Sequence, residues 1–157
     1  MVQTHNRPVR AKRFKTSHTK ACALSGHSLG LSAGSTIQVV QQVQKGFPYA
    51  AIDHFHKASG LPTASIADLV RIPQRTLARR KAKGRLRPEE SERLLRVSGI
   101  FEQSLELFEG EADAARRWLT TPTEDLDNHT PLNFARTEVG AREVEDLIGR
   151  LEHGVFT

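Results

Sequence analysis

The sequence predicts an all-α protein in which a disordered basic tail precedes two small helical domains. From Thr36 onward, apolar residues recur at the spacing of one helix face. Threonine, proline and glycine stand where helices start and stop, as at Thr130-Pro131 and at Gly154. We therefore expect a tail over residues 1–34, a first domain over residues 35–98 and a second over residues 99–157.

The charges are distributed very unevenly along the chain. The 157 residues carry a formal net charge of +5. Residues 1–34 hold six basic side chains and no acid, and residues 67–96 have a net charge of +6. Residues 101–157 have a net charge of −8. Such a chain presents a cationic surface to one partner and an anionic surface to another.

The composition excludes several classes of protein. Cys22 is the single cysteine, which rules out a disulfide framework and is typical of a cytoplasmic protein. No stretch approaches the roughly 20 apolar residues of a membrane-spanning helix. His18, Cys22 and His27 have metal-ligating side chains, but a fourth ligand at a plausible spacing is missing, so we expect no metal and no cofactor. The tail either adds contacts to nucleic-acid phosphates or is inert.

Two scaffold helices are predicted at the start of the first domain. The first begins near Thr36 and ends at Gly46-Phe47-Pro48, and the second covers residues 49–59. The apolar residues at helical spacing are Ile37, Val40, Val43 and Phe47 in the first and Ile52, Phe55 and Ala58 in the second. We expect these side chains to be mostly buried.

The next segment matches a helix-turn-helix. Ser65 is expected to cap a short helix, the turn is Arg71-Ile72-Pro73, and a second helix starts at Gln74 and stops at Gly84. Arg71 stands where this turn usually has glycine, and Arg80 stands where an apolar residue is usual. The alternative is a helical hairpin whose basic face is only solvated.

The second helix would place its first residues in the major groove of DNA. Gln74 can pair with adenine, Arg75 with guanine, and Thr76 with a base or a phosphate. The remaining basic residues are expected to contact phosphates, which supply affinity without sequence information. They are Arg79, Arg80, Lys81, Lys83 and Arg85.

A long helix is predicted to follow from Arg87-Pro88, with proline and two acids in its first turn. Its charge changes from basic to acidic near Gly99, where we place the domain boundary. After it, Trp118-Leu119 closes a short helix, Thr130-Pro131 opens another, and the last helix runs from about Thr137 to His153. We expect Trp118 to be a core residue that packs against Val144, Leu147, Ile148 and Leu151 of that last helix.

The last fifty residues contain a long ordered series of motifs: Ala115-Arg116-Arg117-Trp118-Leu119, Thr121-Pro122, Thr130-Pro131-Leu132, Gly140-Ala141-Arg142-Glu143-Val144-Glu145 and Leu147-Ile148-Gly149-Arg150-Leu151-Glu152-His153-Gly154-Val155-Phe156. In this order they resemble the toxin-binding domain of the MbcA/ParS/Xre antitoxin family. Phe134-Ala135 replaces the double leucine that is usual in that family. The helix-turn-helix looks like the Xre-type unit expected ahead of such a domain.

The resemblance implies a type II antitoxin whose partner is a RES-domain toxin, a small enzyme that consumes NAD. It also implies binding to operator DNA as a homodimer. We expect the chain's end to plug the toxin's active site, although Phe156 could instead fold back on Leu151. The toxin-binding residues would be Arg150, Glu152, His153, Gly154, Val155, Phe156 and Thr157.

Two alternative functions fit parts of the same pattern. The acidic domain could sense a ligand or another protein in a stand-alone transcription regulator, or the chain could be a helical adaptor without a DNA role. Catalysis is not expected, because Glu143 and Glu145 point to different helix faces and no histidine is spaced to assist them. The sequence also has no phosphate-binding glycine loop and no HExxH motif.

Overall fold

A computed structural model describes residues 26–154, and within that range the chain is all-α, as predicted. Two 3-10 turns, His27–Leu29 and Glu124–Leu126, accompany the helices. The helices are α1 (Thr36–Lys45), α2 (Ala50–Ser59), α3 (Thr63–Leu69), α4 (Gln74–Lys83), α5 (Pro88–Leu107), α6 (Ala112–Leu119), α7 (Pro131–Phe134) and α8 (Glu138–His153). None of the described helices is long and apolar enough to cross a membrane.

Helix α5 is the centre of the packing. The helices α1, α2, α3, α6 and α8 and the turn at His27–Leu29 all pack against it. Phe101 of α5 and Phe55 of α2 form an edge-to-face pair with ring centroids 5.7 Å apart, and both are fully buried. The predicted long helix is therefore confirmed. It passes through Gly99 without interruption, so the boundary that we placed there lies inside an element shared by both halves.

The predicted starts and stops of the C-terminal helices are confirmed. The Thr130 hydroxyl accepts a hydrogen bond from the Asn133 N–H at 3.2 Å, and Pro131 follows as the first residue of α7. The Thr137 hydroxyl caps α8 by accepting from the Gly140 N–H at 3.1 Å. A side chain at Gly140 would overlap the carbonyl oxygen of Phe134, so this glycine lets α8 start directly against α7.

Residues 26–34 correct the predicted extent of the disordered tail. Leu29 is only 1% exposed in the core beside α2 and α5. The Ser28 backbone N–H and hydroxyl both donate to Glu102, at 2.8 and 2.7 Å. The segment was predicted as tail because its single core residue, Leu29, shows no periodicity. Residues 1–25 lie outside the described part of the chain.

The predicted faces of the first helices are partly wrong. On α1, Ile37 is 70% exposed and Val40 is also exposed, whereas Val39 is buried. Ala58 of α2 is exposed as well. Ile37 and Val40 have helical spacing, but the side of α1 that meets α5 is the one that carries Val39. The cap predicted at Ser65 is also wrong, because the N-cap of α3 is Pro62, three residues earlier.

Trp118 is not the core residue that we predicted. It is half-buried, and its ring lies 6.3 Å from that of Phe108. Leu119 is fully buried instead, because Ala115 and Leu119, four residues apart, form the face of α6 that meets the core. Val144, Leu147 and Ile148 are buried as expected, but the main neighbour of α8 is α5.

The turn between α3 and α4 shows how Arg71 can stand where a helix-turn-helix usually has glycine. Arg71 has a φ of +58°, in the left-handed region that favours glycine. The Ile72 N–H donates to the Ala67 carbonyl at 2.8 Å, and the Arg71 N–H donates to that of Asp68 at 3.0 Å. These two bonds form the Schellman motif that commonly ends a helix. The turn thus keeps the usual geometry with arginine in the glycine position.

Ion pairs and hydrogen bonds join the two halves of the described chain, which are the helix-turn-helix half up to residue 98 and the C-terminal half from residue 99. The Arg136 guanidinium lies 3.7 Å from the Asp68 carboxylate, which links the α7–α8 loop to α3. Arg93 donates to the Val70 carbonyl at 3.1 Å. The helix-turn-helix unit is therefore in direct contact with both the central helix and the C-terminal half.

Candidate DNA-binding and partner-binding surfaces

Helix α4 brings most of the predicted DNA-binding residues together on one exposed surface. Its ten residues contain five basic side chains and no acid. Leu77 is buried and anchors the helix to the core. Thr76 is half-buried, and the exposed members of the predicted set are Gln74, Arg75, Arg79, Lys81, Lys83 and Arg85. A helix with one buried and one cationic side is suited to contacts with a nucleic-acid backbone.

Arg80 is a correction, because the structure places it in the core and not on this surface. It is 5% exposed, and its Nε donates to the Glu90 carboxylate at 2.8 Å. Its Nη2 donates to the other carboxylate oxygen at 3.0 Å, so the pair is bidentate. Glu90 also accepts from the Arg87 backbone N–H at 2.8 Å, which caps α5. The prediction that Arg80 contacts phosphate is therefore wrong.

The same hydrogen bonds set the ionisation of Glu90. Burial alone would raise the pKa of this carboxyl group. Hydrogen bonds from the Arg80 side chain and from the Arg87 backbone outweigh burial, and they hold the pKa of Glu90 below its ordinary value. Glu90 is thus a carboxylate at neutral pH, and it joins α4 to the first turn of α5.

Two further arginines lie at the edges of the α4 surface. Arg85 is exposed, but its Nη1 donates to the carbonyl of Gly46 at 2.6 Å, so part of its guanidinium is engaged in the fold. Arg71 is exposed in the turn before α4. Arg71 was not among the predicted DNA-binding residues, although its position in the turn before α4 was a usable signal.

The predicted partner-binding residues lie at the C-terminal end of α8. Glu152, His153 and Gly154 are exposed, and Gly154 ends the helix with a φ of +64°. Arg150 is half-buried and lies 3.8 Å from Glu143. Val155, Phe156 and Thr157 lie outside the described residues, so their predicted role stays a prediction.

A second surface of the C-terminal half was not predicted. It is an open groove of about 620 Å³ between the turn at Glu124–Leu126, α7 and the start of α8. Phe134 and Val139 provide apolar surface, and Val139 is 81% exposed, whereas Leu126, which also lines the groove, is buried. The carboxylates along it are Asp125, Asp127 and Glu143. Val139 could have been noticed from the sequence, since it is out of register with the buried positions 141, 144 and 148.

A cleft of about 670 Å³ lies between α3 on one side and α6 and α7 on the other. Leu61, Leu69 and Leu132 line it together with Arg116. The Arg116 guanidinium is already paired with Asp113 at 2.8 Å. The cleft therefore adds no support for recognition of an anionic ligand.

Among residues 26–154, no group of three or more histidine, cysteine or acidic side chains is arranged to hold a metal ion. Of the three side chains considered as ligands, His27 is exposed in the first turn of the described chain. His18 and Cys22 lie outside the described residues.

Two family models match the chain, one to each half. Residues 38–99 match the antitoxin Xre-like helix-turn-helix domain. Residues 103–154 match the antitoxin Xre/MbcA/ParS C-terminal toxin-binding domain. The first range includes the α4 surface, and the second includes the groove and the end of α8.

Curated proteins from three bacteria are similar to the chain. An antitoxin Xre from Yersinia enterocolitica is 41% identical over 143 residues, which cover 90% of this chain and 96% of that protein. An antitoxin Xre from Photorhabdus laumondii is 29% identical over 92% of this chain and 98% of its own length. An antitoxin Xre from Pseudomonas putida is 36% identical over 53% of this chain and 52% of its own length.

Proposed function

Because the chain belongs to the Xre antitoxin family, we propose that it binds and occludes the active site of a NAD-consuming RES-domain toxin and represses its own operon. The chain itself is proposed to have no catalytic activity. The observation that carries the proposal is the separation of its two surfaces. The exposed cations of α4 belong to one half, and the exposed end of α8 belongs to the acidic half.

The α4 surface supports DNA binding by its shape and charge. Gln74 and Arg75 are exposed at the N-terminal end of the helix, which is the end that meets base edges when a recognition helix enters the major groove. Lys81 and Lys83 are exposed nearer its C-terminal end, where they can reach phosphates. One such unit makes few contacts, so we propose that a homodimer binds two half-sites of the operator.

Arg75→Ala is expected to relax base preference, whereas Lys83→Ala is expected to weaken binding to all DNA sequences about equally. The reason is that a guanidinium can read a base edge, while an ammonium neutralises phosphate charge. Loss of one phosphate contact lowers the slope of log K against log salt by about 0.9. Titration of operator and unrelated DNA at several salt concentrations measures both effects.

The double substitution Arg80→Met and Glu90→Gln is the matched control, because it removes a buried basic residue of α4 without leaving a buried carboxylate unpaired. Its salt slope should equal that of the unaltered protein wherever the variant is folded. If neither Arg75→Ala nor Lys83→Ala alters DNA binding, α4 is not the DNA-binding helix.

The end of α8 supports inhibition of the toxin by a short C-terminal plug. Gly154 ends the helix in the left-handed conformation, which is a common helix stop. A site that binds NAD must hold two aromatic rings and two phosphates, so it offers apolar walls beside cationic groups. Val155 and Phe156 suit the walls, while Glu152 suits the cations.

Ending the chain after His153 is expected to abolish inhibition of the toxin while the complex still forms. The plug would be missing, whereas the helical surface of the domain would be unchanged. Toxin activity and complex formation are measured side by side on the same preparation. A truncated chain that still inhibits fully would show that the helical surface, and not the plug, blocks the active site.

A further inference from the structure

The acidic-rimmed groove at the start of α8 is not explained by the C-terminal plug. Among the described residues 103–154, Val139 is the large aliphatic residue whose side chain is exposed. It is the second residue of a helix whose cap and register are regular, so nothing local requires an apolar side chain there. Asp125, Asp127 and Glu143 line the same groove and give it negative charge, and His129, whose ring lies beside that of Phe134, lines it as well.

The groove is connected to the plug by the outer side of α8. Val139, Glu143, Asp146, Arg150 and His153 follow one another at intervals of three or four residues, so they form one ridge along the helix. All are exposed except Arg150, which is half-buried. From Val139 to Gly154 this ridge is about 22 Å long, at 1.5 Å per residue.

The plug by itself is too small to account for a stable complex. It comprises the eight residues from Arg150 to Thr157, whereas a stable protein–protein interface uses roughly 20–30 residues on each side. The ridge and the groove supply additional surface within the region that matches the toxin-binding domain. Exposed apolar surface with a polar rim is the usual composition of such an interface.

We infer that the groove with Phe134 and Val139 as its apolar surface, and with Asp125, Asp127 and Glu143 at its rim, is a second docking surface for the toxin. This inference rests on the proposed function. The toxin segment that fills the groove has an apolar side chain in contact with Val139 and Phe134, flanked by lysine or arginine. The groove supplies affinity, and the plug at the other end of the ridge supplies inhibition.

The decisive variant is Val139→Ser, with Ile37→Ser as its matched control. Both positions are the second residue of a helix with a serine or threonine cap, and both side chains are large, aliphatic and exposed. The substitutions therefore have the same local effect on their helices. Val139→Ser is expected to raise the Kd for the RES-domain toxin about tenfold, as for a central interface residue, and Ile37→Ser is expected to leave it unchanged.

Asp127→Asn tests the charged rim separately. Asp127 has a φ of +54°, and asparagine tolerates this conformation, so the variant removes a charge without adding strain. It is expected to slow association with the toxin and to reduce the dependence of the association rate on salt, because a rim charge acts mainly on encounter.

The outcomes separate the inference from the function on which it rests. Unaltered protein that fails to bind or inhibit a RES-domain toxin would refute the proposed function. Tight binding by the unaltered protein together with an unchanged Kd for Val139→Ser would overturn the inference alone. If Val139→Ser leaves the Kd for the toxin unchanged but abolishes self-association in sedimentation, the groove binds a second copy of the chain. That outcome also overturns the inference.

Discussion

Glu90→Ala is expected to lower the free energy of unfolding by about 3–5 kcal/mol, the usual cost of removing one partner from a buried ion pair. Arg80 would keep its charge at 5% exposure and lose both bonds to the carboxylate. The Arg87 N–H at the start of α5 would lose its acceptor as well. Urea denaturation followed by circular dichroism measures the change.

Glu89→Ala is the matched control for this loss. Glu89 is the neighbouring acid in the first turn of α5, and it is exposed. Its removal costs only a helix-dipole contribution, about 0.3–1 kcal/mol. Equal destabilisation by the two substitutions would mean that the Arg80–Glu90 pair does not hold α4 on α5.

The same pair makes stability depend on pH in a predictable direction. Because the folded state lowers the pKa of Glu90, the pair stabilises the fold above the ordinary glutamate value of about 4.3. That stabilisation is lost as the pH falls through the lowered pKa of the folded state. The difference in stability between the unaltered protein and Glu90→Ala should therefore shrink below about pH 4.

Leu119→Ala is expected to cost about 2–5 kcal/mol, the range for a leucine truncated in a packed core. Leu119 is fully buried, and α6 packs against α2, α5 and α7. Trp118→Ala, at the next position, is expected to cost less, roughly 1–3 kcal/mol, because that ring is half-buried against Phe108.

Comparison of the two substitutions is informative because they lie in the same turn of the same helix. Any loss of helix propensity is similar, so the difference in the unfolding midpoint reports on burial. If Trp118→Ala is the more destabilising of the two, Trp118 is the main core residue of α6. The inward side of this helix would then not be the one that carries Ala115 and Leu119.

Much of the candidate site could be predicted from residues close together in the sequence. The end of α4 at Gly84 and the end of α8 at Gly154 were predicted from glycine, and both glycines have positive φ values. The α4 surface followed from a run of basic residues without an acid. The groove was missed because its residues, from Asp125 to Glu143, are spread over three elements and line one surface only in the folded chain.

The sequence by itself determined the limits of the helices and the division of charge between the halves. Caps, prolines and glycines act within about four residues, so they can be read along the chain. Only the tertiary structure decided which faces are covered. It buried Arg80 against Glu90, ten residues away, where an apolar residue is usual. It also covered Leu119 more fully than Trp118 and left Ile37 and Val139 exposed. Burial depends on which neighbouring helix lies over each side chain, and residue spacing within a single helix does not contain that information.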